Sequence, residues 1–183
     1  ALGGQWCFLD NAGGSQILQS VLDRMQTYLL TSNVQLGASY AVSQQATERL
    51  QEANQFAATL VNAADVSEVV MGPSTSMLLR ILAQCFGQTL APGDEIVVTN
   101  CDHEANITPW LELQRLGVVI RTWHLNPDSL ELNLADLDQL LTDRTRLVTL
   151  THTSNVLGQS NPIREIADRV HQAGGLLCVD GVG

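Results

Sequence analysis

The feature that most constrains this chain is an alternation of two hydrophobic periodicities. Helix-period stretches at residues 17–30, 43–61, 76–86, 106–116, 134–141 and 163–172 alternate with short apolar runs at 68–71, 95–99, 118–123, 147–151 and 176–179. In the second helical stretch, Ala46, Leu50, Ala53, Ala57 and Leu60 recur at helical spacing. Apolar runs too short for helices, each followed by a helical pattern, predict right-handed βαβ crossovers and a mostly parallel sheet. The expected fold class is α/β, a three-layer αβα sandwich preceded by an N-terminal helical segment. In such sheets ligands bind beyond the carboxyl ends of the strands. Polar clusters fall at those ends, at residues 72–76, 101–106, 152–158 and 180–181.

Composition narrows the class of partner. Hydrophobic residues make up 45% and charged residues 15%, which fits a packed chain rather than a disordered one. The net charge of −10 repels phosphate backbones and argues against nucleic acid. It leaves room for a small anion, because a helix N-terminus attracts one locally. Cys7, Cys85, Cys101 and Cys178 form no CxxC pair, so neither a zinc knuckle nor a redox motif is present. Scattered cysteines of this kind fit buried thiols in a reducing compartment. No run of about 18 apolar residues occurs and no leader pattern opens the chain. The expected location is cytoplasmic, away from a membrane. All nine basic residues are arginines, and lysine does not occur.

Ser74, Thr75 and Ser76 open a helix after an apolar run, where hydroxyls and free N–H groups can cradle a phosphate. A plain serine or threonine N-cap explains the same residues. Asp180 closes the apolar run Leu176, Leu177, Cys178, Val179, which puts a carboxylate at the ligand-binding edge; a helix cap or a metal ligand are the other readings. His103 can stack on an aromatic ring or move protons. Its neighbours Asp102 and Glu104 mimic a metal site, but no second histidine stands at HxxxH spacing, so no metal is assigned. His152 is expected to be a buried, satisfied histidine. Asn155 either contacts a ligand oxygen or shapes its turn. No GxGxxG follows a strand, which disfavours an ordinary nucleotide-binding domain.

Four segments, in order, resemble the class V aminotransferase family, which includes the cysteine desulfurases and has the fold-type-I pyridoxal-phosphate (PLP) architecture. Residues 8–14 (FLDNAGG) are similar to its "LDNAA" stretch, 101–110 (CDHEANITPW) to "EHHANIVPW", 151–158 (THTSNVLG) to "THVSNVLG" and 179–181 to "VDG". The resemblance implies that His103 stacks on the PLP ring, Asp180 pairs with the pyridine nitrogen, and Asn155 contacts the ring hydroxyl. It also implies that Thr75, with Ser74 or Ser76, binds the phosphate. Asn11, Ala12 and Gly13 are then expected near the carboxylate of an amino-acid substrate. Catalytic roles fall to His103 and Asp180.

The resemblance further implies a domain plan, with residues 1–40 in the small domain and active-site entrance and 41–183 in part of the large PLP-binding domain. The chain is expected to be the N-terminal fragment of a desulfurase-like or C–S lyase enzyme. Another class V reaction and a non-catalytic truncated remnant are the alternatives. The family's Schiff-base lysine is absent from this chain, so the fragment is expected to be inactive alone, and to form a homodimer or otherwise self-associate. Three departures set it apart from housekeeping desulfurases. The phosphate loop reads Gly-Pro-Ser-Thr-Ser, residues 33–40 lack the basic "RGxH" version, and Gly183 replaces the usual glutamine.

Overall fold

The computed structural model describes residues 6–9 and 11–182; Asp10, Gly183 and the side chain of Ala12 lie outside what it describes. The chain divides into two compact units, residues 1–71 and 72–183.

In the first unit a 3-10 turn at Asn11–Gly13 precedes helices α1 (Gln19–Thr31) and α2 (Ala41–Leu60). The segment between the helices is pinned to α2 by polar side chains. The Ser43 hydroxyl donates to the Gln35 carbonyl (2.7 Å) and accepts from the Ala38 N–H (2.9 Å). Arg49 donates to the buried Ser32 hydroxyl. A second 3-10 turn follows at Val66–Glu68, where Asp65 caps the Ser67 N–H. The apolar run at 68–71 does not form the expected strand. Among the described residues nothing pairs with it, and Pro73 just beyond offers no N–H.

The second unit is built on four parallel strands: β1 (Glu95–Thr99), β2 (Val119–Trp123), β3 (Thr145–Thr151) and β4 (Leu176–Asp180), in the order β2-β1-β3-β4. Strand alternation separates two cores. Ile96, Val98 and Leu147 pack on one face with Ala83 of α3 (Thr75–Gly87) and Trp110 of α4 (Thr108–Leu111). Val97, Val148 and Leu150 pack on the other with Leu137 of α5 (Leu134–Leu140) and with Ile166 and Val170 of α6 (Ile163–Gln172). Two helical layers around a buried parallel sheet are the expected αβα sandwich.

Local chemistry explains the helix ends. Ser74 is the N-cap of α3, its hydroxyl accepting from the Met77 N–H at 3.2 Å. Leu79, Ala83 and Gly87 form its buried stripe, and a Cβ on Gly87 would meet the Leu113 side chain at 2.7 Å. The single helix expected over 106–116 is broken into a 3-10 turn at Glu104–Asn106, the short α4, and a 3-10 turn at Glu112–Leu116. Pro109 in the first turn of α4 explains the restart, and Gly117 ends the segment in the left-handed region (φ 83°).

Candidate functional site

Because all four strands are parallel, their carboxyl ends share one edge. The chain passes from β1 out to β2 and then returns across to β3, so β1 and β3 flank the topological switch point. The segment after β1 carries Asp102 and His103. Strand β3 leads into the Asn155 turn, and β4 ends on the buried Asp180.

Ser74, Ser76 and His103 line one open cavity of about 380 Å³, together with Met77, Arg80 and Glu104. That volume falls within the range of small-ligand sites, roughly 300–1,000 Å³. Thr75 begins α3 beside this cavity's serines but is not among its lining residues. The His103 Nδ1 accepts the Ala105 N–H at 3.1 Å, which orients the ring and leaves Nε2 free of this bond.

Asp102 ties the His103 loop to the sheet. One carboxylate oxygen accepts the Thr151 N–H at 2.8 Å and the other the Asn106 side-chain amide at 2.9 Å. Asn106 is itself fully buried and accepts from the Thr149 hydroxyl at 2.7 Å. Burial pushes the Asp102 carboxyl above the usual aspartate range; its hydrogen bonds oppose this, and the nearby Asp180 charge adds to it. Asp102 and Asp180 therefore lie close enough to repel. Asp102 is thus a structural brace, a role that no local stretch of sequence marks. The Asp-His-Glu cluster alone does not show that its first carboxylate reaches β3.

Asp180 Oδ1 accepts the Val182 N–H at 3.1 Å, and its carbonyl accepts the His152 N–H at 2.8 Å. Among the described residues Oδ2 has no hydrogen-bond partner. Asn155 is exposed on the turn after β3 and stands outside the cavity lining. His152 is exposed rather than buried: the chain leaves the sheet after Thr151, and only the His152 backbone is held. Asn11 and Gly13 belong to the first unit, where the Ser15 hydroxyl donates to Asn11 Oδ1 at 3.3 Å. Burial pushes the Cys101 and Cys178 thiols up, which keeps them protonated and unsuited to nucleophilic work. No group of three or more metal-ligating side chains occurs among the described residues.

The residues present fit a phosphorylated aromatic ligand. Hydroxyls and helix N–H groups meet a planar imidazole in one cavity, and a buried carboxylate with a free oxygen ends a strand on the same edge. The fold is thus that of a parallel α/β protein with a switch point between β1 and β3, and the start of α3 and the His103 loop line a cavity of small-ligand size.

The chain belongs to the aminotransferase class-V family, whose profile matches residues 7–183. It is 46% identical over 182 residues to an aminotransferase-like protein, FGM3, of Gibberella zeae, covering 96% of this chain and 44% of that protein. It is 35% identical over 177 residues to a cysteine desulfurase of Dickeya dadantii, covering 95% and 43%. The fold matches that of the Escherichia coli cysteine desulfurase CsdA with a TM-score of 0.81 at 32% identity, over 94% of this chain and 44% of that one. It matches an apo cysteine desulfurase of Thermococcus onnurineus with a TM-score of 0.87 at 27% identity, over 94% and 43%. The chain spans less than half the length of the relatives it matches and corresponds to their N-terminal portion. Members of this family use PLP. No helix among the described residues is long and apolar enough to cross a membrane.

Proposed function

We propose that this chain forms the PLP-binding part of a cysteine-desulfurase-like or C–S lyase enzyme acting on a small amino acid. The observation that carries this reading is the shared cavity of Ser74, Ser76 and His103; Asp180 lies outside its lining but near Asp102, the neighbour of His103. Ser74 and Ser76, with Thr75 contributing its backbone, hold the phosphate at the start of α3. On the family resemblance His103 would stack on the ring, Asn155 would contact the ring hydroxyl, and Asp180 would keep the pyridine nitrogen protonated. PLP bound there supplies an electron sink for carbanion chemistry on the amino acid. On the same resemblance Asn11, Ala12 and Gly13 would bind the substrate carboxylate.

The domain plan, with residues 1–40 at the active-site entrance and 41–183 in the large domain, belongs to this same proposal. So do a cytoplasmic location and a self-associated or dimeric state. The chain contains no lysine, so the amine that tethers PLP must come from elsewhere in the protein, and these 183 residues are inactive alone.

The test is to supply L-cysteine to the full-length protein with PLP and a thiol reductant. Release of sulfide with equimolar alanine (desulfuration), or with equimolar pyruvate and ammonia (C–S lysis), supports the reading. Formation of a keto acid with an amino acceptor supports a different class V reaction instead, the reading favoured by the 46% identity to an aminotransferase-like protein. No turnover of any amino acid, with no PLP retained, leaves the non-catalytic remnant.

A further inference from the structure

One cavity residue carries a charge that the site assignment above leaves without a task. Arg80 stands one turn beyond Ser76 on α3 and is the only lysine- or arginine-type cation lining the cavity. Its one ion pair among the described residues is to Glu112, at 3.8 Å between half-exposed side chains. That distance is too long for a hydrogen bond, and an exposed pair of this kind contributes little. The guanidinium has no hydrogen-bond partner among the described residues, so its donors are available.

The rest of the lining offers a dianion no full opposite charge, only the partial positive end of α3. Glu104 also faces the cavity, and the whole chain is acidic at −10. Ser74 already uses its hydroxyl to accept the Met77 N–H. A phosphate monoester there carries about −1.5 to −2 charges at neutral pH. Neutral hydroxyls and N–H groups provide hydrogen bonds but no opposite charge. Arginine provides both, in a planar fork matched to phosphate oxygens.

We infer that Arg80 exchanges Glu112 for the phosphate of the bound ligand and so sets the cavity's preference for phosphorylated over unphosphorylated pyridoxal. This rests on the proposed PLP site. The bland alternative, a solvated surface arginine, predicts no effect of phosphorylation at this residue.

The test uses apo full-length protein titrated with PLP and, separately, with pyridoxal, followed by absorbance and by equilibrium dialysis. Wild type should prefer PLP. Arg80→Met should weaken PLP by about 10-fold, as expected for a charge-assisted contact, and leave pyridoxal unchanged. The loss should shrink at high salt. Equal weakening of both ligands indicates a structural role and overturns the inference, and so does no change in either. Should Arg80→Met fail to fold, Glu112→Gln replaces it. Tighter PLP binding with pyridoxal unchanged then supports the exchange, and an unchanged PLP affinity overturns it. Wild-type protein that binds neither ligand overturns the PLP reading itself, an outcome distinct from a silent Arg80.

Discussion

Helices α1 and α6 are both amphipathic, yet α1 buries none of its residues while α6 buries Ile166 and Val170 completely. The same contrast holds between the units that contain them. Phe56 on α2 is 70% exposed, and Leu29 and Leu30 on α1 also face outward. In the second unit Trp110 and Trp123 are wholly enclosed, the latter donating its indole N–H to the Asn133 carbonyl at 3.1 Å. Amphipathic pattern makes a helix, but burial needs a facing surface. A four-stranded sheet provides one on each side, whereas two helices and a loop provide very little.

Equal truncations should separate the two units most strongly. In the 183-residue chain, Trp123→Ala should cost about 3–5 kcal/mol, because it opens a cavity in a sealed core. Phe56→Ala should cost less than about 1 kcal/mol. Denaturant unfolding followed by far-UV circular dichroism measures both, and equal losses would break the comparison.

The next largest effect concerns chemistry. In the full-length protein, Asp180→Ala should lower turnover on the order of 100-fold while PLP is still retained, since its charge matters most as electron density builds on the ring. Near-normal turnover would remove Asp180 from the proposed mechanism. For the first unit, Asn11→Ala should raise KM for the amino acid about 10-fold with little change in PLP retention. A loss of cofactor instead would show that the two units do not divide the labour in this way.

The smallest effect is a pH dependence inside the second unit. The Arg121 guanidinium, with help from the Thr142 hydroxyl, holds the buried Glu95 carboxyl below the usual range against the opposing effect of burial. A depressed folded value means that the stabilisation is complete above the ordinary glutamate range and is lost as pH falls through the folded value. Glu95→Gln should therefore flatten the acid limb of the stability profile and cost about 1 kcal/mol at neutral pH, Arg121 being partly exposed. An unchanged acid limb would show that the pair contributes nothing measurable.

The sequence was most legible where a pattern is repeated within one element. Strand β1 and helix α6 have the expected limits, because their apolar periods are complete over the element's own length. Legibility failed where structure depends on a distant partner. The run at 68–71 has strand composition but no neighbouring strand among the described residues, and α4 is cut short by Pro109 and its flanking 3-10 turns. The site shows the same division. Ser74 at a helix start and Asp180 at a strand end follow from local pattern. The reach of Asp102 to Thr151, and the place of Arg80 beside His103, depend on tertiary approach that no local window contains.

The brace at the carboxyl edge also sets an order of events during synthesis. Asp102 closes on Thr151 across 49 residues, and Asn106 on Thr149 across 43, so the His103 loop lacks these two hydrogen-bonded ties until β3 exists. Strands β1 and β2 can pair earlier, being neighbours in both sequence and sheet. At about 5–20 residues per second, the ribosome delivers β3 roughly 2–10 s after Asp102. Through that interval the nascent chain holds two of the four strands and a histidine loop without its ties to β3.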